Sequence, residues 1–120
     1  MPFFSRVWKE VPKSEKQIAS EKGTEDEQYP TIVESQALGM SAAQAKVSQA
    51  GAKITWDDEA KQNFATWKEK DATYKIWLED EKSMEPRLQL MKDNQLAGCA
   101  EWALGQESDS IWSLIHKYVN

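Results

Sequence analysis

Apolar residues recur along this chain in two rhythms. In residues 72–78, Tyr74, Ile76 and Leu78 alternate with Thr73, Lys75 and Trp77, the period of a strand with two distinct faces. Segments 53–56 and 63–68 share that character. Asp57-Asp58-Glu59 and Glu69-Lys70-Asp71 supply turns between them, so the pattern predicts a small antiparallel meander. The rhythm then changes. Met84, Leu88 and Met91 fall at i, i+4 and i+7, the inward stripe of a helix running to about Asn94. Ser83 is its expected N-cap, which would put Pro86 in the tolerant first turn.

After that helix comes the run Leu96-Ala97-Gly98-Cys99-Ala100-Glu101-Trp102-Ala103-Leu104, with a helical pattern on either side. It reads as a buried parallel strand framed by crossover helices. Trp102 would stand near its carboxyl end, where ligands sit in parallel α/β architectures; the bland alternative is a core aromatic. Ser108 or Asp109 is expected to cap a last helix with Ile111, Trp112, Leu114, Ile115 and Tyr118 on its buried side. At the other end, residues 1–8 read as an aromatic-rich strand with no lead-in, which hints at a piece of a larger protein. Residues 9–37 are polar and punctuated by Pro12, Gly23 and Pro30; they read as a surface loop with an extended stretch at 31–33. Residues 41–50 predict a short helix capped by Ser41 with Gln44 and stopped by Gly51. The sum is an α+β (mixed α/β) chain: a βαβα unit with an antiparallel meander and a short helix inserted. The expected layout is one domain, residues 1–120, with 1–8 and 83–120 forming the βαβα part and 9–82 the insertion.

Composition narrows the chemistry. With 120 residues, 40% hydrophobic and 29% charged, the chain suits one globular domain. A net charge of −5 disfavours a phosphate-tracking nucleic-acid role. No apolar run reaches membrane-spanning length and no signal-peptide pattern opens the chain, so no membrane partner is expected. One cysteine, Cys99, and one histidine, His116, cannot build the usual cysteine/histidine metal site, and no cofactor is expected. Cys99 reads as a small buried hydrophobe. Six tryptophans are many for this length, and indoles suit cores, interfaces and sugar-binding floors alike.

Three pieces, in this order and spacing, resemble the C-terminal part of family 18 glycoside hydrolases, the chitinase-like fold. Met1-Pro2-Phe3-Phe4-Ser5-Arg6 resembles the seventh barrel strand of that family. Tyr74-Lys75-Ile76-Trp77-Leu78-Glu79-Asp80-Glu81-Lys82-Ser83 resembles the end of its insertion subdomain, and the run 96–104 its tryptophan-bearing eighth strand. Ala37-Leu38-Gly39-Met40-Ser41-Ala42-Ala43-Gln44 is similar to a segment in the bacterial spore-cortex and cell-wall glucosaminidase-like subgroup. The resemblance implies a partial TIM barrel acting on N-acetylglucosamine-containing glycan, chitin or peptidoglycan, at the cell envelope, in spores or outside the cell. It implies substrate-binding roles for three residues. Trp102 would be the stacking floor under the sugar, Arg6 would hydrogen-bond sugar or acidic groups, and Phe4 stands where the family has a tyrosine, so one phenol contact is missing.

The resemblance also implies an Asp-x-x-Asp-x-Glu motif for catalysis, in which the glutamic acid protonates the leaving oxygen while the substrate's own acetamido group attacks. No two aspartates here are three residues apart. Glu101 cannot stand in, because on a strand it points away from its neighbour Trp102. The expectation is therefore no catalytic residue, and no hydrolysis by this chain alone. Two other readings stay open: a non-catalytic carbohydrate-binding module, and a structural module whose unpaired strand edges drive a homodimer or association with the missing barrel portion.

Overall fold

The computed structural model describes residues 1–119. Its elements, in order, are β1 (Phe4–Pro12), α1 (Glu15–Ser20), a 3-10 turn (Glu25–Gln28), β2 (Thr31–Gly39), α2 (Met40–Gln49), β3 (Thr55–Asp57), β4 (Gln62–Glu69), β5 (Ala72–Leu78), α3 (Glu81–Asp93) and α4 (Asp109–Val119). The fold is mixed α+β. One five-stranded antiparallel sheet runs β2-β1-β5-β4-β3, so β1 lies between β2 and β5.

The meander forms as its alternation predicts. Ile76 and Leu78 are fully buried and Ala65 and Trp67 join them under α2, which contributes Ala43 and Val47. Trp67 stacks on Tyr74 with ring centroids 5.4 Å apart, so this indole packs the core. The turn from β4 to β5 is tight because Lys70 adopts a left-handed backbone, φ 56°. A second cluster holds Phe3 and Met40 against Met84, Leu88 and Met91 of α3 and Ile111, Leu114 and Ile115 of α4.

Five local expectations are corrected. The polar stretch expected as mostly loop contains a nine-residue strand, β2, besides α1. Helix α2 starts one residue early and has no side-chain cap; the Met40 N–H instead donates to the Gln106 carbonyl at 2.7 Å. Helix α3 is capped by Asp80. Ser83 serves as the reciprocal partner three residues on: its N–H donates to Asp80 Oδ1 at 2.9 Å, and the Asp80 N–H donates to Ser83 Oγ at 3.0 Å. Pro86 therefore stands in the second turn, at the cost of one helical hydrogen bond. Last, the run 96–104 is not a buried strand. Among the described residues its only ladder contact is a parallel bridge between Pro2 and Trp102, and Leu96 and Leu104 face outward. Trp112 of α4, expected inside, is also largely exposed, with its ring edge-on to Phe3 at 5.5 Å.

Candidate saccharide-binding face

The bridge between Pro2 and Trp102 fixes the site. The Phe3 N–H donates to the Trp102 carbonyl at 2.6 Å, and the Trp102 N–H donates to the Met1 carbonyl at 3.0 Å. The Met1 amino group adds a bond to the Ala100 carbonyl. Residues paired in a parallel bridge present their side chains on the same face. Trp102 thus shares the face of Pro2, and its indole is 71% exposed. The loop beyond it is tied down: the Ala103 N–H donates to Gln106 Oε1 at 3.1 Å, and Gln106 in turn holds the start of α2. The peptide bond between Trp102 and Ala103 is cis.

Alternation along β1 sorts its side chains. Ser5 and Val7 are buried, while Phe4, Arg6 and Trp8 lie on the open face and line a groove of about 290 Å³ with Pro2 and Trp77. Trp77 stands directly opposite Arg6 across the β1–β5 pair. Its ring packs on Phe64 at 4.7 Å, and its indole N–H donates to Asp57 Oδ2 at 3.0 Å. The Ala60 N–H, with that indole, holds the Asp57 carboxyl below its ordinary range. Arg6 donates to Ser35 Oγ at 2.8 Å.

Of the three residues singled out from the sequence, Phe4 and Arg6 thus line one groove, and Trp102 is anchored beside Pro2 at its end. Trp8 and Trp77 complete the aromatic lining. The signal for Trp77 was present in the strict alternation of 72–78, which puts it on the face opposite Ile76 and Leu78.

One carboxylate borders the groove, and it is fully engaged. Glu79 is 5% exposed. Arg87 donates to both of its oxygens, at 2.5 and 3.0 Å, and Gln62 Nε2 adds a bond at 2.7 Å. The Glu79 N–H donates to Ser5 Oγ at 2.8 Å, which locks β5 to β1. The Oε1 atom of Glu101 is buried. Beside it, burial and then the Glu101 carboxylate push the Cys99 thiol up to about 11, so Cys99 packs against the helical cluster as a neutral group. Among the described residues, no three of histidine, cysteine, aspartate or glutamate gather in a metal-binding group, and no helix is long and apolar enough to cross a membrane.

The sequence model of glycosyl hydrolases family 18 matches residues 1–107. The chain belongs to this family. Among solved structures, the family 18 chain is similar over its whole length to the C-terminal domain of a putative chitinase from Desulfitobacterium hafniense DCB-2, with TM-score 0.77 and 22% identity, covering 34% of that chain. It is similar to the spore cortex-lytic enzyme SleL of Bacillus megaterium QM B1551, with TM-score 0.73 and 22% identity, covering 24% of that chain. It also matches a family GH18 chitinase from Cycas revoluta in complex with (GlcNAc)3, with TM-score 0.66 and 22% identity, covering 32% of that chain. This chain thus spans between a quarter and a third of the length of these three proteins.

Proposed function

We propose that this chain supplies part of the saccharide-binding surface of a family 18 glycosidase that acts on N-acetylglucosamine-containing glycan. Trp102 is the stacking floor, and Arg6 and Phe4, joined by Trp77 and Trp8, extend the surface along β1. The observation that carries this reading is the open indole of Trp102, held by two backbone hydrogen bonds beside a groove with an aromatic floor. An indole face packs on the apolar face of a pyranose while its N–H remains free to donate. The proton donor for cleavage comes from outside this sequence, which has no Asp-x-x-Asp-x-Glu motif and whose groove carboxylate, Glu79, is bound up with Arg87. In this reading residues 1–8 and 83–120 are the barrel-derived part and 9–82 the insertion, joined through β1, which crosses the boundary between them. The test is a titration of N-acetylglucosamine oligomers followed by tryptophan indole N–H resonances, with Trp102→Ala assigning the key signal. A saturable shift of the Trp102 signal supports the proposal; six unmoved indoles refute it.

A second reading, self-association, has its own support. Strand β2 is an edge strand of nine residues, paired only with β1, and it exposes Ile32 and Val33. Such an edge is a template for another strand. Sedimentation at high concentration decides it: a dimer fits, and a monomer rules it out.

A further inference from the structure

The outer edge of β2 is complementary to a second copy of itself, and its hydrogen-bond register shows how. The Lys13 N–H donates to the Pro30 carbonyl at 3.2 Å, directly beyond the pair of Pro12 with Thr31. In an antiparallel ladder, bonded and non-bonded pairs alternate. Ile32, Glu34 and Gln36 therefore bond to β1, and Val33, Ser35 and Ala37 turn their N–H and C=O groups outward. Counting from the other side of the sheet gives the same phase. The two-residue turn at Lys70 makes Glu69 and Ala72 a bonded pair, so Lys75 and Trp77 bond to β1, and Val7 and Lys9 are left to bond to β2. Among the described residues no backbone group of Val33, Ser35 or Ala37 bonds to a turn, loop or helix.

Natural edge strands are guarded by lysine, proline or a bulge. Residues 31–38 contain no lysine, arginine or proline, and β2 pairs with β1 without a skipped position, so it has no bulge. Residues 32–37 are exposed. One charge remains, Glu34, and it selects the register. A two-fold axis at Ser35, the midpoint of the strand, gives the longest overlap. It sets Ser35 against Ser35 and Val33 against Ala37, so these outward backbone groups find partners. It also sets Glu34 opposite the neutral Gln36, and Ile32 opposite Leu38. An axis one residue earlier would bring two Glu34 carboxylates face to face, which is destabilising.

We infer that two copies of this chain join through β2, antiparallel about Ser35, into one continuous sheet. The axis stands perpendicular to the sheet, so the open faces of both copies look to the same side, with their β1 strands about 14 Å apart. The inference rests on the self-association reading and names its partner, strand and register.

The experiment is amide hydrogen exchange of the full chain at low and high concentration, beside sedimentation. Ile32, Glu34 and Gln36 should be protected at both. Val33, Ser35 and Ala37 should exchange about tenfold more slowly only where the dimer predominates. Val33→Pro removes an outward N–H and spares the ladder to β1, so it should leave a folded monomer. Gln36→Lys should tighten the dimer about fivefold at low salt and Gln36→Glu loosen it about fivefold, since each change acts twice across the axis, opposite Glu34. If Val33→Pro does not fold, the exchange pattern and the two Gln36 variants still decide. A dimer that leaves the exchange of Val33, Ser35 and Ala37 unchanged, that survives Val33→Pro in the folded chain, or that is indifferent to both Gln36 variants overturns the inference while self-association stands. A monomer at every concentration overturns both.

Discussion

The backbone of Phe3 is bonded to that of Trp102: the Phe3 N–H reaches the Trp102 carbonyl at 2.6 Å. That bond fixes the indole's base while leaving its ring in solvent, so the ring carries little of the fold's stability. Trp102→Ala should therefore remove saccharide-induced shifts and leave the melting temperature within about 2 °C, since exposed substitutions away from special contacts change stability by about 0.5 kcal/mol or less. Chemical-shift titration and a thermal melt on the same sample check both halves.

Glu79 and Arg87 should show the opposite balance. The Glu79 carboxylate is nearly inaccessible, and its partner's removal leaves a charge that water cannot reach. Arg87→Met is expected to destabilise the fold by about 3 kcal/mol, the lower end for breaking a buried pair, because the Arg87 side chain is itself 32% exposed. Urea unfolding followed by tryptophan fluorescence measures it.

Gly39→Ala tests the seam between α2 and the loop after Trp102. A Cβ there would meet the Gln106 carbonyl oxygen at 3.2 Å and the Gln106 Cα at 3.3 Å, both backbone atoms. The φ of Gly39 is −61°, so the cost is steric crowding alone. A loss of about 1–2 kcal/mol is expected, seen as a lower melting temperature with weakened protection of the Met40 amide in hydrogen exchange.

Cys99 sets a limit on alkaline stability. Its thiol is raised to about 11 by burial and the adjacent Glu101 carboxylate, against 9.0 for the free group. Between those values the unfolded chain releases the proton and the folded chain keeps it, so stability is intact below about pH 9 and declines toward pH 11. Cys99→Ser should flatten that decline in a series of melts. The same shift predicts slow alkylation of the native thiol at pH 8 compared with the denatured chain.

How far the sequence disclosed this molecule depends on how many sides of an element are covered. Strand β5 lies mid-sheet with one face under α2, so its period-2 pattern is strict and legible. Strand β2 is an edge strand with most side chains exposed; its polar and apolar residues follow no alternation, so only 31–33 reads as extended. The α3 cap lay three residues before Ser83, because Asp80 and Ser83 form one reciprocal box and either can be taken for its first member. The run 96–104 has the composition of a buried strand, yet among the described residues one bridge to Pro2 is its ladder pairing, so Leu96, Trp102 and Leu104 are left facing out. At the proposed site, Phe4, Arg6 and Trp102 were singled out through the order of their motifs. The convergence of Trp8 and Trp77 on the same groove needed the pairing of β1 with β5, which no local pattern states.

The full burial of Phe3 among side chains of α3 and α4 has a temporal meaning. During synthesis residues 1–8 leave the ribosome before residues 83–119, and domains fold as the chain lengthens. The sheet can close once β5 has left the ribosome. The anchor at Phe3 must wait for α4, and so must the bridge that seats Trp102. Residues 1–3 are therefore secured after elements made later than themselves, and the indole of Trp102 is seated only once α4 is in place.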